Sequence, residues 1–282
     1  AMAINALSLY AEQLGDRLDV DIVLEALTRL GTVEDPEIGQ VAWDVLTTLL
    51  DYLRSQNVDE TLIASLEWKF LPALHDGSQA PSLQRLLARD PARFVQIIEL
   101  AYKPANPEAR RESGDVGRDL ASNAYKLLHG WRIVPGTRED GSVDGAALRD
   151  WLDEVRALLT QSDRLEVGEL LVGEVLAHAP TDPDGTFPTW PVREVLESAP
   201  NDRLERGFVI GLYNKRGVTS RAITEGGRQE YELANRYERW AEAIEATYPR
   251  TAGALRTIAA SYREDGRRND EEARRFLEGL DP

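Results

Sequence analysis

The chain has 282 residues, of which 49 are acidic and 33 are basic, so its formal net charge at neutral pH is −16. It contains no cysteine, which excludes disulfides, thiolate zinc sites and cysteine nucleophiles. Its three histidines, His75, His129 and His178, lie too far apart for an HxxxH or HExxH metal motif. No apolar run reaches the ~18 residues of a membrane helix. These features predict a cytoplasmic protein without a metal site, a cofactor or a membrane partner.

The net negative charge belongs to residues 1–200, because residues 201–282 contain 15 basic and 15 acidic side chains. Affinity for nucleic acid comes largely from cationic side chains that displace counterions from the phosphate backbone. An acidic surface repels that backbone. Nucleic acid is therefore a disfavoured partner.

The chain opens Ala1-Met2-Ala3, and Met2 is its only methionine. An alanine before the methionine is typical of an engineered tag site. We therefore expect a segment excised from a longer protein, whose catalytic part, if it has one, lies elsewhere.

The first strong helix prediction runs from Ile38 to Leu53, after weaker helical patterns near residues 4–14 and 20–30. Apolar residues at i, i+3, i+4 and i+7 form one stripe on this helix. Asp35 is a candidate N-cap, and Pro36 suits the first helical position, where a missing N–H costs nothing.

The middle of the chain repeats these helix-start patterns. Asp90-Pro91 precedes an apolar stripe that begins at Phe94, and Asp144 precedes a longer stripe in which Trp151 lies in phase and is predicted to be buried. Trp131 to Val134 is the candidate for a short extended piece. Helices are predicted near 58–74, 81–89, 94–101, 115–130 and 147–159.

The last third of the chain is helical in pattern as well. Trp240 lies in phase with the apolar side of its helix and is predicted to be buried. Phe208 to Ile210 is an apolar run too short to classify by period. Helices are predicted near 166–178, 191–199, 202–213, 233–244, 252–262 and 268–279.

Together these patterns predict an all-α fold, an irregular array of stacked antiparallel helices that is helical-repeat-like. Short connections favour antiparallel neighbours, but no fixed sequence repeat occurs. Polar stretches at Lys103–Gly114 and Thr181–Pro191 interrupt the pattern. We expect an N-terminal helical array over 1–103 and a C-terminal helical domain over 104–282, or else one continuous unit.

Motifs that would indicate catalysis are missing. The sequence has no GxSxG elbow, no Walker-type phosphate loop and no GxGxxG. Asp182-Pro183-Asp184-Gly185 lacks the ligand positions of an EF-hand, and Pro-Asp-Gly is typical of a turn. Asp150, Asp153 and Glu154 share a polar helix face and are interpreted as solvated. We predict no catalytic residue and no metal ligand.

The most unusual segment is the basic, glycine-containing loop 214–228 in an otherwise acidic chain. Cations in such a loop can form charge-assisted hydrogen bonds to an anion or to an acidic helix. The alternative is an ordered connector whose arginines pair with Glu225, Glu230 and the acidic body. The tentative ligand-binding residues are Lys215, Arg216, Arg221 and Arg228.

Several short runs carry a family resemblance: Leu66-Glu67-Trp68, His178-Ala179-Pro180, the run from Tyr213 to Glu230, and Pro249-Arg250-Thr251-Ala252. With these runs the chain resembles the C-terminal helical region of very long bacterial proteins of no established activity. The resemblance implies a bacterial source and a fragment of a larger chain. It implies no functional residues.

The leading functional prediction is a non-enzymatic helical scaffold or a module that senses a partner or ligand within a larger bacterial protein, with protein as the expected partner. Helical arrays expose extended grooves that suit this role. The alternative is a regulator that binds an anionic ligand or nucleic acid through loop 214–228. An enzyme that uses Asp and Glu is the third interpretation.

Overall fold

The computed structural model describes residues 19–30, 43–74, 76–112, 116–217 and 222–279. Within these ranges the chain forms helices and loops, and its only β pairing is an isolated antiparallel bridge between Thr137 and Val143. The all-α prediction is confirmed. The described α-helices are α1 (Val20–Leu30), α2 (Trp43–Ser55), α3 (Glu60–Phe70), α4 (Pro81–Arg89), α5 (Pro91–Ala101), α6 (Pro107–Glu112), α7 (Arg118–Gly130), α8 (Gly145–Gln161), α9 (Leu165–Leu176), α10 (Trp190–Glu197), α11 (Arg203–Lys215), α12 (Arg228–Ile244) and α13 (Pro249–Leu277).

Aspartate side chains begin α5 and α8, as the sequence predicts. Asp90 Oδ1 accepts a hydrogen bond of 3.1 Å from the backbone N–H of Arg93, and Pro91 opens the helix. Asp144 Oδ1 accepts two hydrogen bonds, of 2.9 and 3.1 Å, from backbone N–H groups of the first turn of α8. These caps satisfy N–H groups that have no partner within the helix. The prediction at Asp35-Pro36 lies outside the described residues.

The contacts divide the chain into two compact units. The first comprises residues 1–135 and 151–164, and the second comprises residues 136–150 and 165–282. The division expected at residue 103 does not coincide with this one. The reason is that α7 packs on α5 within the first unit, so the helices before and after residue 103 share one core.

The core of the first unit centres on the buried ring of Phe94. Its centroid lies 5.0 Å from that of Trp131 and 5.2 Å from that of Trp151. Trp151 Nε1 donates a hydrogen bond of 3.1 Å to the carbonyl oxygen of Leu87. Trp151 is therefore buried, as predicted from its phase.

The second unit contains two closely packed helix pairs, α9 with α11 and α12 with α13. Glycines permit the first of these contacts. A Cβ at Gly173 would lie 2.2 Å from the carbonyl oxygen of Leu204, and a Cβ at Gly207 would lie 2.0 Å from that of Leu170. The backbones of α9 and α11 can approach this closely only because both positions lack a side chain.

Phe208–Ile210, which its period alone left unclassified, lies within α11, and Trp131–Val134 follows α7 outside any helix, with Trp131 in an extended conformation. Two local predictions change. Lys103–Gly114, predicted to be irregular, contains the short helix α6. The two windows 252–262 and 268–279 form the single helix α13.

None of the helices in the described part of the chain combines the length and the apolar composition required to cross a bilayer.

Candidate ligand-binding cavity

The second unit contains a cavity of about 400 Å³. It lies where the end of α11, the segment after α9, and α12 and α13 come together. Its walls carry four aromatic rings and three cationic side chains, and no carboxylate. The lining residues are Ala179, Pro180, Thr181, Phe187, Lys215, Arg216, Leu233, Arg236, Tyr237, Trp240 and Tyr262.

The four rings form a continuous row. The centroid of Phe187 lies 4.9 Å from that of Trp240, Trp240 lies 5.4 Å from Tyr237, and Tyr237 lies 5.9 Å from Tyr262. These separations fall within the range of favourable aromatic pairs. Three of the rings are buried, but Trp240 is only half-buried. The prediction that Trp240 is buried was therefore wrong. Its ring forms part of the cavity wall and is not enclosed in the core of the unit.

A tight turn holds the Trp240 indole. Its Nε1 donates a hydrogen bond of 3.0 Å to the carbonyl oxygen of Gly185. The backbone N–H of Gly185 in turn donates to the carbonyl oxygen of Asp182 at 2.8 Å, and Gly185 has a φ of +85°, which favours glycine. The turn interpretation of Asp182-Pro183-Asp184-Gly185 is confirmed. Its function here is to position one wall of the cavity.

Lys215 contacts the Phe187 end of the aromatic row. Its Nζ lies 5.4 Å from the centroid of the Phe187 ring and donates a hydrogen bond of 3.1 Å to the carbonyl oxygen of Ala177. It forms no ion pair with any carboxylate in the described residues. Desolvation by burial lowers the pKa of the Lys215 ammonium from its ordinary value. The charge of Lys215 is therefore not compensated by an acidic side chain.

Arg216 has a carboxylate partner. Its guanidinium donates a hydrogen bond of 2.5 Å to Glu230, whose side chain is 2% exposed. Its Cζ also lies 5.4 Å from the centroid of the Tyr262 ring. The Nε of Arg216 is buried and has no hydrogen-bond partner in the described structure. Arg216 therefore combines a structural ion pair with a buried N–H donor that has no partner among the described residues.

Arg236 is the cavity cation that sequence reasoning missed. It is exposed and forms no ion pair or hydrogen bond with another described residue. In sequence it lies on the polar side of an amphipathic helix, where an arginine is interpreted as solvated. In the sequence, only the neighbouring Tyr237 distinguishes Arg236 from other surface arginines. One adjacent aromatic residue is too weak a pattern to identify a binding site.

The four cations proposed from the sequence do not form one site. Lys215 and Arg216 line the cavity, whereas Arg228 is exposed and pairs with Glu225 at 2.8 Å. Arg221 lies outside the described residues. The structure therefore places two of the four candidates at the cavity and assigns a third to a surface ion pair.

The acidic residues also bear on a possible metal site. No cluster of three or more His, Asp or Glu side chains that could hold a metal ion occurs in the described part of the chain. Asp150, Asp153 and Glu154 are all exposed on α8, which agrees with their interpretation as a solvated face.

Comparisons of this chain with protein-family models, with curated proteins and with solved structures find no match.

Proposed function

We propose that the chain is a non-enzymatic helical binding module whose second unit binds a small anionic ligand in the cavity. The observation that carries this proposal is the lining itself, with three cationic side chains and no carboxylate in a protein of net charge −16. The volume of about 400 Å³ lies in the range typical of small-molecule sites. Apolar walls with a few polar groups are also typical of such sites.

The charges favour a ligand with one or two negative charges. Glu230 already neutralises Arg216, whereas Lys215 and Arg236 have no acidic partner among the described residues. A ligand anion would supply the missing partner and form charge-assisted hydrogen bonds.

A sensing role within a larger protein suits this arrangement. Binding to the native state stabilises it, so the second unit can report ligand concentration through its own stability. The resemblance of the chain to the ends of very long bacterial proteins supports a role as a module of a larger chain.

Thermal unfolding with a panel of small anions tests the proposal. A ligand at one hundred times its Kd stabilises the native state by about 2.7 kcal/mol, which raises Tm by several degrees. We expect this shift in the wild type and in Arg228→Gln, whose charge lies outside the cavity. We expect no shift in the double variant Lys215→Met, Arg236→Gln, which keeps the lysine stem against Phe187. An equal shift in the double variant would refute the proposal, as would the absence of any shift.

A further inference from the structure

Within the cavity, Trp240 is the ring with open surface. Phe187, Tyr237 and Tyr262 are 4%, 8% and 1% exposed, whereas Trp240 is only half-buried. Its indole is nevertheless fixed in place. Its Nε1 donates a hydrogen bond to the carbonyl oxygen of Gly185. The rings of Phe187 and Tyr237 pack beside it, at interplanar angles of 38° and 76° respectively. A rigid, partly uncovered ring loses little conformational freedom when another ring packs against it.

The cations of the wall also contact aromatic faces. Lys215 lies against Phe187, and Arg216 lies against Tyr262, so a cation is placed at each end of the row of rings. A planar aromatic ligand packed on Trp240 would extend the row of ring–ring pairs. A saturated ligand of equal size would gain only the burial of its surface.

The tyrosines add hydrogen-bond donors. Neither the Tyr237 nor the Tyr262 hydroxyl forms a hydrogen bond with another described residue. Burial raises the pKa of Tyr237, and burial together with neighbouring Tyr237 raises the pKa of Tyr262 to about 12. Both hydroxyls are therefore protonated at neutral pH and can donate to an anion.

From these contacts we infer that the ligand is a planar aromatic anion. Its ring packs on the Trp240 indole, and its carboxylate or phosphate is held by Lys215 and Arg236. This inference rests on the proposed function, and it adds the aromatic character of the ligand to the anionic character already proposed.

A matched pair of ligands tests the aromatic character without altering the protein. The probes are 2-naphthoate and decahydro-2-naphthoate, which share the carboxylate and the two fused six-membered rings but differ in aromaticity. A third probe, 2-naphthyl phosphate, tests whether a phosphate can replace the carboxylate. Isothermal titration calorimetry with the full chain measures each Kd. We expect the aromatic carboxylate to bind about five times more tightly than the saturated one, since aromatic pairs add to simple burial.

Two variants connect this preference to named residues. Trp240→Leu should bring the two carboxylates to equal affinity, whereas Trp240→Phe should retain most of the preference. Lys215→Met should weaken both carboxylates by about the same factor, because it removes charge and leaves the indole in place. Circular dichroism confirms that each variant is folded before titration.

The outcomes separate this inference from the proposed function. Equal affinity of the two carboxylates for the wild type would overturn the aromatic inference and leave the anion site standing. If none of the three anions binds, the aromatic inference fails, and the proposed function is then decided separately by the panel of small anions. A preference that persists in Trp240→Leu would also overturn the inference, because the ring would then be recognised elsewhere.

Discussion

At the scale of single residues, the ion pair of Arg216 and Glu230 links the end of α11 to the first turn of α12. The side chains are 16% and 2% exposed, and the hydrogen bond measures 2.5 Å. Burial acts to raise the pKa of Glu230, but hydrogen bonds, above all that from Arg216, hold it below its ordinary value. The carboxylate is therefore charged in the folded protein and depends on its arginine.

Arg216→Met is expected to destabilise the protein by about 3–5 kcal/mol, because it removes the counter-ion of a buried carboxylate. Chemical denaturation monitored by circular dichroism measures the effect. The control is Arg228→Met, whose side chain is 71% exposed in its pair with Glu225, and which should leave the free energy of unfolding nearly unchanged. Small, equal effects would show that Arg216 is not structural.

Tyr262 gives the protein a specific weakness at alkaline pH. A tyrosine in the unfolded chain ionises near pH 10, whereas the buried Tyr262 has a pKa of about 12. Between these two pH values the folded state binds more protons than the unfolded state. The contribution of the neutral Tyr262 phenol to the free energy of unfolding is therefore fully present below pH 10 and is lost as the pH rises through 12. Tyr262→Phe should therefore reduce the fall in unfolding free energy over this interval by about 2 kcal/mol, as measured by urea denaturation.

Tyr125→Phe is the matched control for this experiment, because its ring is 52% exposed. It should follow the wild-type pH profile. An identical alkaline decline in Tyr262→Phe and in the wild type would show that this phenol does not control the transition.

The cavity shows which site residues a sequence can reveal. Lys215 and Arg216 were found because basic residues stand out in an acidic chain, a feature that is visible locally. Arg236 and Trp240 were not found, because their role depends on which helices meet around the cavity. The helical phase correctly predicted that Trp151 is buried, and the rings of Phe94 and Trp131 beside it are buried as well. The same phase cannot distinguish a core face from the wall of a cavity.

At the scale of helices, the contact of α9 with α11 depends on glycine. Gly173→Ala or Gly207→Ala would place a Cβ 2.2 or 2.0 Å from a backbone oxygen of the other helix. The helices would have to separate, so each substitution should destabilise the protein by about 1–3 kcal/mol or more, despite the higher helix propensity of alanine. Thermal and urea unfolding measure the change.

Gly253→Ala in α13 provides the opposite expectation. No atom lies within 4 Å of a Cβ at Gly253, and the residue is exposed. Alanine should therefore stabilise the protein by up to about 1 kcal/mol through helix propensity. If all three substitutions stabilise the protein, the close approach of α9 and α11 is incorrect.

Helix α13 shows why some boundaries could not be predicted. The sequence windows 252–262 and 268–279 leave a gap that contains Gly266, a residue of poor helix propensity. In the structure the helix continues, and the glycine serves a packing role, because a Cβ at Gly266 would lie 2.9 Å from the ring of Tyr231. Local propensity suggests a break where tertiary contact requires only a small residue.

At the scale of the whole molecule, the two units are not consecutive in sequence. The chain passes from one unit to the other after residues 135, 150 and 164. A sequence boundary is normally sought in a polar stretch, and the stretch at Lys103–Gly114 has that character. It nevertheless lies within the first unit, where the backbone N–H of Ala105 donates a hydrogen bond of 3.0 Å to the carbonyl oxygen of Asp163.

Two fragments test this organisation. A fragment of residues 1–103 retains Phe94 but loses Trp131 and Trp151, the rings that cover it. Truncating one buried aromatic residue costs about 3–5 kcal/mol, and a domain has only about 5–15 kcal/mol of total stability. Residues 1–164 should therefore unfold in a cooperative thermal transition followed by circular dichroism, whereas residues 1–103 should show none. Cooperative unfolding of both fragments at the same temperature would restore the boundary at residue 103, because the first hundred residues would then contain a complete core of their own.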